Sequence, residues 1–214
     1  MSRNLEDYRQ SYEKSELLES NISDNPFELF ENWFNETEAA GGVGEVNAMT
    51  IATVGLNGFP KSRVVLLKSY DSDGFIFYTN FKSEKGKAIA KNPNVCLSFF
   101  WPSTERQVII QGMVEKVDEE TATEYYHSRP RGSQLGAWAS PQSSEIASRE
   151  VLEDNLTQVA QKYDGQEVPK PENWGGYIVK PINMEFWQGR QNRFHDRIIY
   201  NREDAKWSSK RLAP

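Results

Sequence analysis

Residues 48–79, AMTIATVGLNGFPKSRVVLLKSYDSDGFIFYT, carry the clearest indication of the protein's architecture. This stretch holds three β-rich runs, at residues 48–54, 62–68 and 75–79, separated by the turn-forming groups Leu56-Asn57-Gly58 and Asp71-Ser72-Asp73-Gly74. Because tight turns rather than crossover helices join the runs, they predict neighbouring antiparallel strands.

The same pattern of strands and turns continues toward the C-terminus, with helical segments between. Further strands are predicted at residues 95–101, 107–117, 177–180, 184–187 and 197–201, and near Trp207. Helices are predicted after Asn25-Pro26, where Phe27, Phe30 and Phe34 recur on one face, and at residues 83–91, 118–128 and 144–163, the last being the longest. The predicted fold class is mainly β with flanking helices (α+β), built on an antiparallel barrel or sheet.

The length of 214 residues suits one domain of ordinary size. Residues 1–22 are polar and weakly periodic, which predicts a mobile N-terminal arm. Residues 23–214 are then expected to form a single domain.

Composition excludes several classes of protein. The 25 basic and 31 acidic residues give a net charge of −6, which argues against a nucleic-acid binder. No apolar run approaches the ~20 residues that cross a bilayer, so no membrane partner is expected. The single cysteine, Cys96, cannot form an internal disulfide. A cytoplasmic, reducing location is therefore expected.

Any phosphate ligand must be held by side chains, because the sequence has neither a GxxxxGK[ST] loop nor a GxGxxG motif. Arg63 and Lys68 bracket an apolar run five residues apart. On one strand this odd separation would place the two cations on opposite faces. The alternative is a pair of solvated charges at the strand ends.

A second cationic segment is residues 125–133, YYHSRPRGS. Its arginine forks and hydroxyl groups suit a phosphate monoester. The alternative is a polar loop that ends a helix, with the arginines near the negative end of the helix dipole.

A third segment spans residues 185–197, where Arg193, His195 and Arg197 alternate with other residues. On an extended chain they would share one face and would need an anionic or electron-rich group opposite. Trp187 offers a flat surface for a ring. The alternative is surface pairing of the arginines with Asp196 and Glu185.

Taken in order, these motifs resemble the pyridoxamine/pyridoxine 5'-phosphate oxidase family over nearly the whole chain. The motifs are Arg63-Val64-Val65-Leu66-Leu67-Lys68, Phe77-Tyr78-Thr79-Asn80, Glu105-Arg106-Gln107, His127-Ser128-Arg129-Pro130-Arg131, Gly136-Ala137-Trp138, residues 185–197 and Arg211-Leu212-Ala213-Pro214. The resemblance implies an FMN-binding split β-barrel that works as a homodimer with two flavins at the subunit interface. The implied reaction oxidises pyridoxamine or pyridoxine 5'-phosphate to pyridoxal 5'-phosphate. Hydride passes from C4' to flavin N5, and O2 is reduced to H2O2.

The resemblance also implies roles for individual residues. Arg193 and His195 would be catalytic and would hold the pyridine region. Substrate phosphate would be bound by Lys68, Tyr125, Arg129 and Ser133, with Arg9 and Tyr12 of the arm folding over the substrate. FMN would be bound by Arg63, Val64, Val65, Leu66, Leu67, Lys68, Tyr78, Thr79, Ser83, Lys85 and Gln107, together with Gln142, Ser143, Trp187 and Arg197 of the partner chain.

Two positions depart from the family pattern. Glu84 stands where an arginine is common, and Phe194 replaces an aliphatic residue. The loss of one cation is not expected to abolish phosphate binding while Arg63 and Lys85 remain, because one charged hydrogen bond contributes only ~1.5–3 kcal/mol. Two other functions fit many of the same residues: a flavin reductase or nicotinamide-dependent oxidoreductase of the split-barrel type, and a non-catalytic FMN or pyridoxal-phosphate binding module.

Overall fold

The computed structural model describes residues 3–8, 10–204 and 206–214. Nine strands are described: β1 (Ala48–Val54), β2 (Pro60–Leu66), β3 (Ser69–Asp71), β4 (Gly74–Asn80), β5 (Asn94–Trp101), β6 (Arg106–Lys116), β7 (Trp174–Gln188), β8 (Asp196–Glu203) and β9 (Lys206–Leu212). Five α-helices accompany them: α1 (Pro26–Ala40), α2 (Glu84–Lys91), α3 (Glu119–Ser128), α4 (Arg131–Ala139) and α5 (Arg149–Lys162). Short 3-10 turns occur at Glu19–Asn21 and Gln191–Arg193.

The strands form one sheet in the order β2-β1-β5-β6-β7-β4-β3, with β8 added to β7 and β9 added to β8. The pairs β3–β4, β4–β7, β7–β8 and β8–β9 are antiparallel. The predicted antiparallel, mainly β fold class with flanking helices is therefore confirmed. None of the helices in the described part of the chain is long and apolar enough to cross a membrane.

The chain divides into two compact units. The first contains Met1–Thr50, Leu97–Gln111 and Pro181–Pro214, and the second contains Ile51–Cys96 and Gly112–Lys180. The single domain expected over residues 23–214 stays a prediction, as does the mobility of residues 1–22.

The first unit is organised around α1. The Asn25 side chain accepts a hydrogen bond from the Phe27 N–H at 3.0 Å, and proline follows at the first helical position, as the sequence predicts. The helix buries Phe30 against Phe99, with ring centroids 5.2 Å apart, and Trp33 packs on Phe186 at 5.3 Å. These aromatic contacts fix α1 on its own part of the sheet.

The second unit has its own aromatic core. Phe77 on β4 is fully buried and packs on Tyr177 of β7 at 5.7 Å. The paired register places Thr79 opposite Gly175. Ser83 begins α2 by accepting a hydrogen bond from the Gly86 N–H at 3.3 Å, the cap that the sequence predicts.

Three boundary predictions are wrong. The loop expected at residues 129–132 is shorter, because α4 begins at Arg131 directly after Pro130. The helix expected from residue 144 begins at Arg149, since Ser143 is left-handed at φ 70° and Ser148 is extended, and α1 is the longest helix of the described chain. The strands expected at residues 177–180 and 184–187 are one strand, β7.

The continuity of β7 through Pro181 has a physical reason. Residues up to Val179 pair with β4, whereas residues from Asn183 pair with β8. Pro181 lies between these two registers, so neither the pairing with β4 nor the pairing with β8 requires the N–H that proline lacks.

Strand β2 ends before Lys68, which corrects another expectation. Because β2 runs only to Leu66, Lys68 is not part of the strand that carries Arg63. Its backbone N–H instead donates to the Ile76 carbonyl at 2.8 Å. The argument that placed Arg63 and Lys68 on opposite faces of one strand is therefore wrong.

Candidate active site

A cavity of about 610 Å³ opens in the second unit. Strand β4 and the end of β2 form one side of it, and the α3–α4 connection forms another. Its lining residues are Val64, Val65, Leu66, Lys68, Tyr78, Thr79, Asn80, Lys85, Tyr125, Arg129, Pro130, Ser133, Gly136, Ala137, Ser140, Gln142 and Trp174. The structure thus brings together most of the residues expected from segments 63–68, 78–85 and 125–133.

One end of this site carries Lys85, with Arg63 close to it. Lys85 lies in the first turn of α2 and is only 9% exposed. Its Nζ donates to Thr79 Oγ1 at 3.2 Å and to Gln142 Oε1 at 3.5 Å. Arg63 Nη1 donates to Thr53 Oγ1 at 2.7 Å.

Burial disfavours the charged form of both cations. Burial lowers the pKa of Lys85, and the nearby charge of Arg63 lowers it further. Burial also lowers the pKa of Arg63. A pair of partly desolvated cations beside a cavity favours a bound anion, because an anion relieves both effects.

Glu84 lies next to this pair but has its own partner. Lys61 Nζ is 2.6 Å from Glu84 Oε2, and this hydrogen bond is the main cause that lowers the pKa of Glu84. The Glu84 carboxylate is thus paired with a lysine of β2. Lys61 therefore offsets the negative charge of Glu84, which lies near Arg63 and Lys85.

Stacked aromatic rings form the other end of the site. Tyr78 stacks on Tyr125 with centroids 3.9 Å apart and on Trp174 at 5.4 Å. The guanidinium carbon of Arg129 lies 4.7 Å from the Trp174 ring centroid. Burial lowers the pKa of Arg129, and its buried Nη1 has no hydrogen-bond partner among the described residues. A buried guanidinium nitrogen without a partner is typical of a site for an anionic ligand.

The two arginines of the predicted phosphate loop differ in environment. Arg129 lines the cavity, together with Ser133 in the first turn of α4. Arg131 instead donates to the carbonyls of Gln166 at 2.9 Å and Tyr163 at 2.5 Å. Arg131 therefore ties α4 to the end of α5 and is not a residue of the cavity.

The other expected cofactor residues of the second unit differ in their positions relative to the cavity. Leu67 is buried, and Ser83 is fully buried as the cap of α2. Ser143 is exposed. Gln142, expected from the partner chain, lines the cavity of its own chain, because only two residues separate it from the end of α4 and its amide reaches Thr79 Oγ1 at 3.2 Å.

The remaining expected residues belong to the first unit. Trp187 and His195 have ring centroids 4.6 Å apart, and the Tyr12 ring lies 5.7 Å from Trp187. Tyr12, Arg193 and His195 line a cavity of about 390 Å³. Gln107 lies half-buried on β6. Arg9 lies outside the described residues.

His195 is held as a neutral imidazole. Its Nδ1 accepts a hydrogen bond from the Arg190 N–H at 3.1 Å, which places the ring proton on Nε2. Burial lowers the pKa of His195, and the charge of Arg193 lowers it further, while Asp196 acts in the opposite direction.

The expectation that Arg193, His195 and Arg197 share one extended face is wrong. Gln191–Arg193 forms a 3-10 turn in which Asn192 and Arg193 have φ values of 55° and 63°. Arg193 therefore precedes the extended segment, which begins at Asp196. Arg197 lies on β8, where its Nε donates to Glu185 at 2.8 Å, so the surface-pairing alternative describes this arginine.

Sequence reasoning missed Trp174 as a site residue. Its position before two glycines indicates only the start of a strand. The signal that could have found it is the paired register, in which Trp174 lies opposite Asn80 at the end of β4, close to Tyr78.

Comparison with known proteins places this chain in a family. Residues 36–163 match the family model described as pyridoxamine 5'-phosphate oxidase, and residues 174–214 match the pyridoxine 5'-phosphate oxidase C-terminal dimerisation region. The pyridoxine/pyridoxamine 5'-phosphate oxidase of Flavobacterium johnsoniae is 59% identical over 210 residues, covering 98% of both chains. That of Christiangramia forsetii is 57% identical over 214 residues, covering 100% of both chains.

Solved structures agree with the fold. The structure of PhzG from Burkholderia lata 383, in complex with tetrahydrophenazine-1-carboxylic acid, has a TM-score of 0.85 at 28% identity and covers 91% of this chain and 95% of its own. A pyridoxamine 5'-phosphate oxidase-related, FMN-binding protein from Nostoc punctiforme has a TM-score of 0.69 at 18% identity, covering 90% of this chain and 100% of its own.

The antiparallel sheet and its cation-lined cavity define a flavoprotein of the split-barrel class. Within that class, the chain belongs to the pyridoxine/pyridoxamine 5'-phosphate oxidase family. The expectations of family, fold class, oxidoreductase activity and FMN as cofactor are confirmed with it.

Proposed function

We propose that the chain oxidises pyridoxine and pyridoxamine 5'-phosphate to pyridoxal 5'-phosphate at the cavity of the second unit, with FMN as cofactor and O2 as electron acceptor. The observation that carries the assignment is that Lys85 and Arg129 both line this cavity, with Arg63 close to Lys85 and the Arg129 guanidinium over Trp174. The part around Lys85 is called the Lys85 end, and the part around Arg129 the Arg129 end. Two phosphate-bearing ligands require two such cationic groups.

The Lys85 end fits the phosphate of FMN. Lys85 and Arg63 supply the charge, and the Thr79 hydroxyl lies within hydrogen-bond distance of Lys85 Nζ at 3.2 Å. Val64, Val65 and Leu66 line the same cavity and offer backbone and apolar contacts to a flat ring. Leu67 and Ser83, which lie close to Leu66 and Lys85 in sequence, are assigned supporting places around this group. Gln107 is also assigned to FMN.

The Arg129 end fits the phosphate of the substrate. The buried, unpartnered Nη1 of Arg129 is available to an anionic oxygen. The Tyr125 hydroxyl, Ser133 and Lys68 line the same cavity and supply further donors. The Trp174 ring packs against the Arg129 guanidinium, which keeps this planar donor group in position.

FMN, when bound, supplies a hydride acceptor at N5 for C4' of the substrate, and O2 takes the electrons onward to give H2O2. The protein contributes placement, which reduces the entropic cost of bringing C4' to the reacting position. Arg193 covers the reacting carbon and fixes the pyridine ring. Neutral His195 orients the segment that carries Arg193. Tyr12 and Arg9 of the N-terminal arm are assigned to cover the substrate.

A homodimer completes the site. The model for the C-terminal dimerisation region covers residues 174–214, which include Trp187, Arg193, His195 and Arg197. We assign these residues, together with Ser143, to the FMN and substrate bound mainly by the other subunit. The single interface of the homodimer then holds two FMN sites. A cytoplasmic location stays a prediction from the single cysteine.

Aerobic incubation of the purified, FMN-loaded protein with pyridoxine 5'-phosphate tests the assignment. Formation of pyridoxal 5'-phosphate and H2O2 without a nicotinamide supports it. Flavin reduction by NAD(P)H alone would indicate a flavin reductase instead. Bound ligand without turnover would indicate a binding module.

A further inference from the structure

Glu105 is a buried carboxylate that the proposed chemistry does not use. It directly precedes β6, is 7% exposed and has a left-handed backbone with φ 58°. Its Oε2 accepts two hydrogen bonds from the N-terminal arm, from the Glu13 N–H at 2.8 Å and the Lys14 N–H at 3.0 Å. Both donors are main-chain groups, so this contact fixes the path of the arm and not one of its side chains.

The segment held by Glu105 forms part of a wall beside His195. Tyr12 directly precedes the two bonded amides, and its ring lies 5.7 Å from Trp187 and 5.9 Å from His195. Tyr8, Gln10, Ser11 and Tyr12 of the arm line the 390 Å³ cavity together with Arg193 and His195.

Gly189 provides the surface on which Tyr12 rests. A Cβ atom at Gly189 would lie 2.7 Å from Tyr12 Cγ and 2.8 Å from Tyr12 Cβ. These distances show that the Tyr12 side chain packs on the Gly189 backbone more closely than a side chain at position 189 would allow. The position of Tyr12 is therefore sensitive to the register of the arm.

The backbone of Glu105 is tied to the same surface. Its carbonyl accepts hydrogen bonds from the Gly189 N–H at 2.8 Å and from Gln188 Nε2 at 3.2 Å. Gln188 is fully buried and accepts in turn from Arg106 Nε at 2.9 Å. Glu105 thus accepts a hydrogen bond from Gly189 through its main chain and from the arm through its side chain. These bonds set the position of the arm relative to Gly189.

We propose that Glu105 is a positioning residue for the oxidation: its carboxylate holds residues 13 and 14 so that Tyr12 closes the cavity beside Arg193 and His195. The inference rests on the proposed function, because it gives this cavity a part in substrate binding. Glu105 does not touch the reacting atoms. It acts by keeping the arm in register.

Hydrogen exchange of the FMN-loaded protein tests the anchoring directly. Mass spectrometry measures the exchange rate of the arm peptide that contains the amides of Glu13 and Lys14. In Glu105→Ala this peptide is expected to exchange at least about tenfold faster, because two hydrogen bonds to a charged acceptor are lost. Glu105→Gln, which keeps one acceptor oxygen, is expected to show a smaller increase.

Glu36→Ala is the matched control. This variant also removes a carboxylate that contacts the residue next to Glu105 in sequence, because Glu36 accepts a hydrogen bond from Arg106 Nη1 at 2.6 Å. Glu36 makes no described hydrogen bond with the arm. Exchange of the arm peptide is expected to remain as in the unsubstituted protein. Unchanged exchange in Glu105→Ala, or an equal increase in Glu36→Ala, would overturn the anchoring.

Steady-state kinetics test the positioning role. Glu105→Ala is expected to raise KM for pyridoxine 5'-phosphate by about tenfold while FMN affinity stays unchanged, because the cavity wall and not the cofactor site is loosened. Glu13→Pro removes one donor from the arm and is expected to raise KM in the same way, whereas Glu13→Ala keeps the donor and is expected to leave KM unchanged.

The outcomes separate this inference from the proposed function. Faster exchange with an unchanged KM, or a parallel loss of FMN binding, would overturn the positioning role. Failure of the proposed function would appear differently, as a lack of pyridoxal 5'-phosphate formation by the unsubstituted protein, and would leave the exchange result standing.

Discussion

The Arg129 guanidinium lies over the indole ring of Trp174, with its central carbon 4.7 Å from the ring centroid. The contact joins a residue of the α3–α4 connection to the first residue of β7. Tyr126 adds a second aromatic face, 5.7 Å from the same guanidinium carbon. These rings hold a cation in a partly desolvated position, where a phosphate dianion gains most from it.

Replacement of Arg129 tests this arrangement. Arg129→Lys is expected to raise KM for pyridoxine 5'-phosphate by about tenfold or more, because an ammonium lacks the planar donor group and stacks poorly on Trp174. Steady-state kinetics with FMN at saturation provide the measurement.

Arg131→Lys is the control for Arg129. Arg131 lies two residues away but donates to the carbonyls of Tyr163 and Gln166. We expect the KM of Arg131→Lys for pyridoxine 5'-phosphate to remain close to that of the unsubstituted protein, while its free energy of unfolding decreases. Equal effects of the two substitutions would contradict the assignment of substrate phosphate to Arg129.

The close approach of Tyr12 to Gly189 leads to a second prediction. Gly189→Ala places a Cβ atom 2.7 Å from Tyr12 Cγ, so the arm must move away from Trp187 and His195. We expect a rise in KM of about tenfold, measured as above. Gly44→Ala, where an added Cβ meets nothing within 4 Å, serves as the control. Normal kinetics of Gly189→Ala would show that Tyr12 has no part in substrate binding.

The protonation of His195 leads to a third prediction. Burial and the charge of Arg193 place the pKa of His195 below its ordinary value of 6.5. Because the unfolded chain binds this proton more tightly, the free energy of unfolding falls as the pH decreases below about 6.5 and through the lower folded pKa. Above that window both states are neutral and His195 contributes no pH dependence.

Nuclear magnetic resonance titration of the ring protons measures the His195 pKa, with a His195→Gln variant to assign the signal. Denaturant unfolding at about pH 7.5 and about pH 5.5 measures the linkage. The loss of stability between the two pH values is expected to be smaller in His195→Gln. A titration midpoint above 6.5 would contradict the neutral imidazole that accepts from the Arg190 N–H.

The Lys61–Glu84 pair leads to a fourth prediction. Lys61→Ala leaves Glu84 without its partner beside Arg63 and Lys85, and we expect FMN to bind a few-fold more weakly, with the difference shrinking at high salt. Glu84→Gln is expected to bind FMN slightly more tightly. Quenching of FMN fluorescence measures both affinities. Lys91→Ala, at the other end of α2, is the control, and an equal loss there would contradict a local effect.

Local sequence signals predicted most of the fold. Asn25 and Pro26 define the start of α1 because capping is a local interaction, and the β-rich run at residues 75–79 after a turn predicts β4 in the same way. The sequence could not predict that β7 continues through Pro181. That depends on the change of partner strand from β4 to β8, which is a tertiary property.

The site was predictable where a chemical group is unusual in its context, as with Arg129 in an acidic chain. It was not predictable where a contact joins distant segments. The stacking of Trp174 on Tyr78, and the bonds from residues 13 and 14 to Glu105, join residues more than 90 positions apart. The left-handed turn at Asn192 and Arg193 also depends on its surroundings, because non-glycine residues rarely adopt that conformation.

The decisive measurement is the visible absorption spectrum of the purified, FMN-loaded protein, recorded before and after anaerobic addition of pyridoxine 5'-phosphate. We expect the oxidised flavin band to disappear and to return when air is admitted, with pyridoxal 5'-phosphate formed in proportion. A protein that retains no FMN, or a flavin band that the substrate leaves unchanged, would contradict the claim that this cavity brings the two phosphate-bearing ligands together.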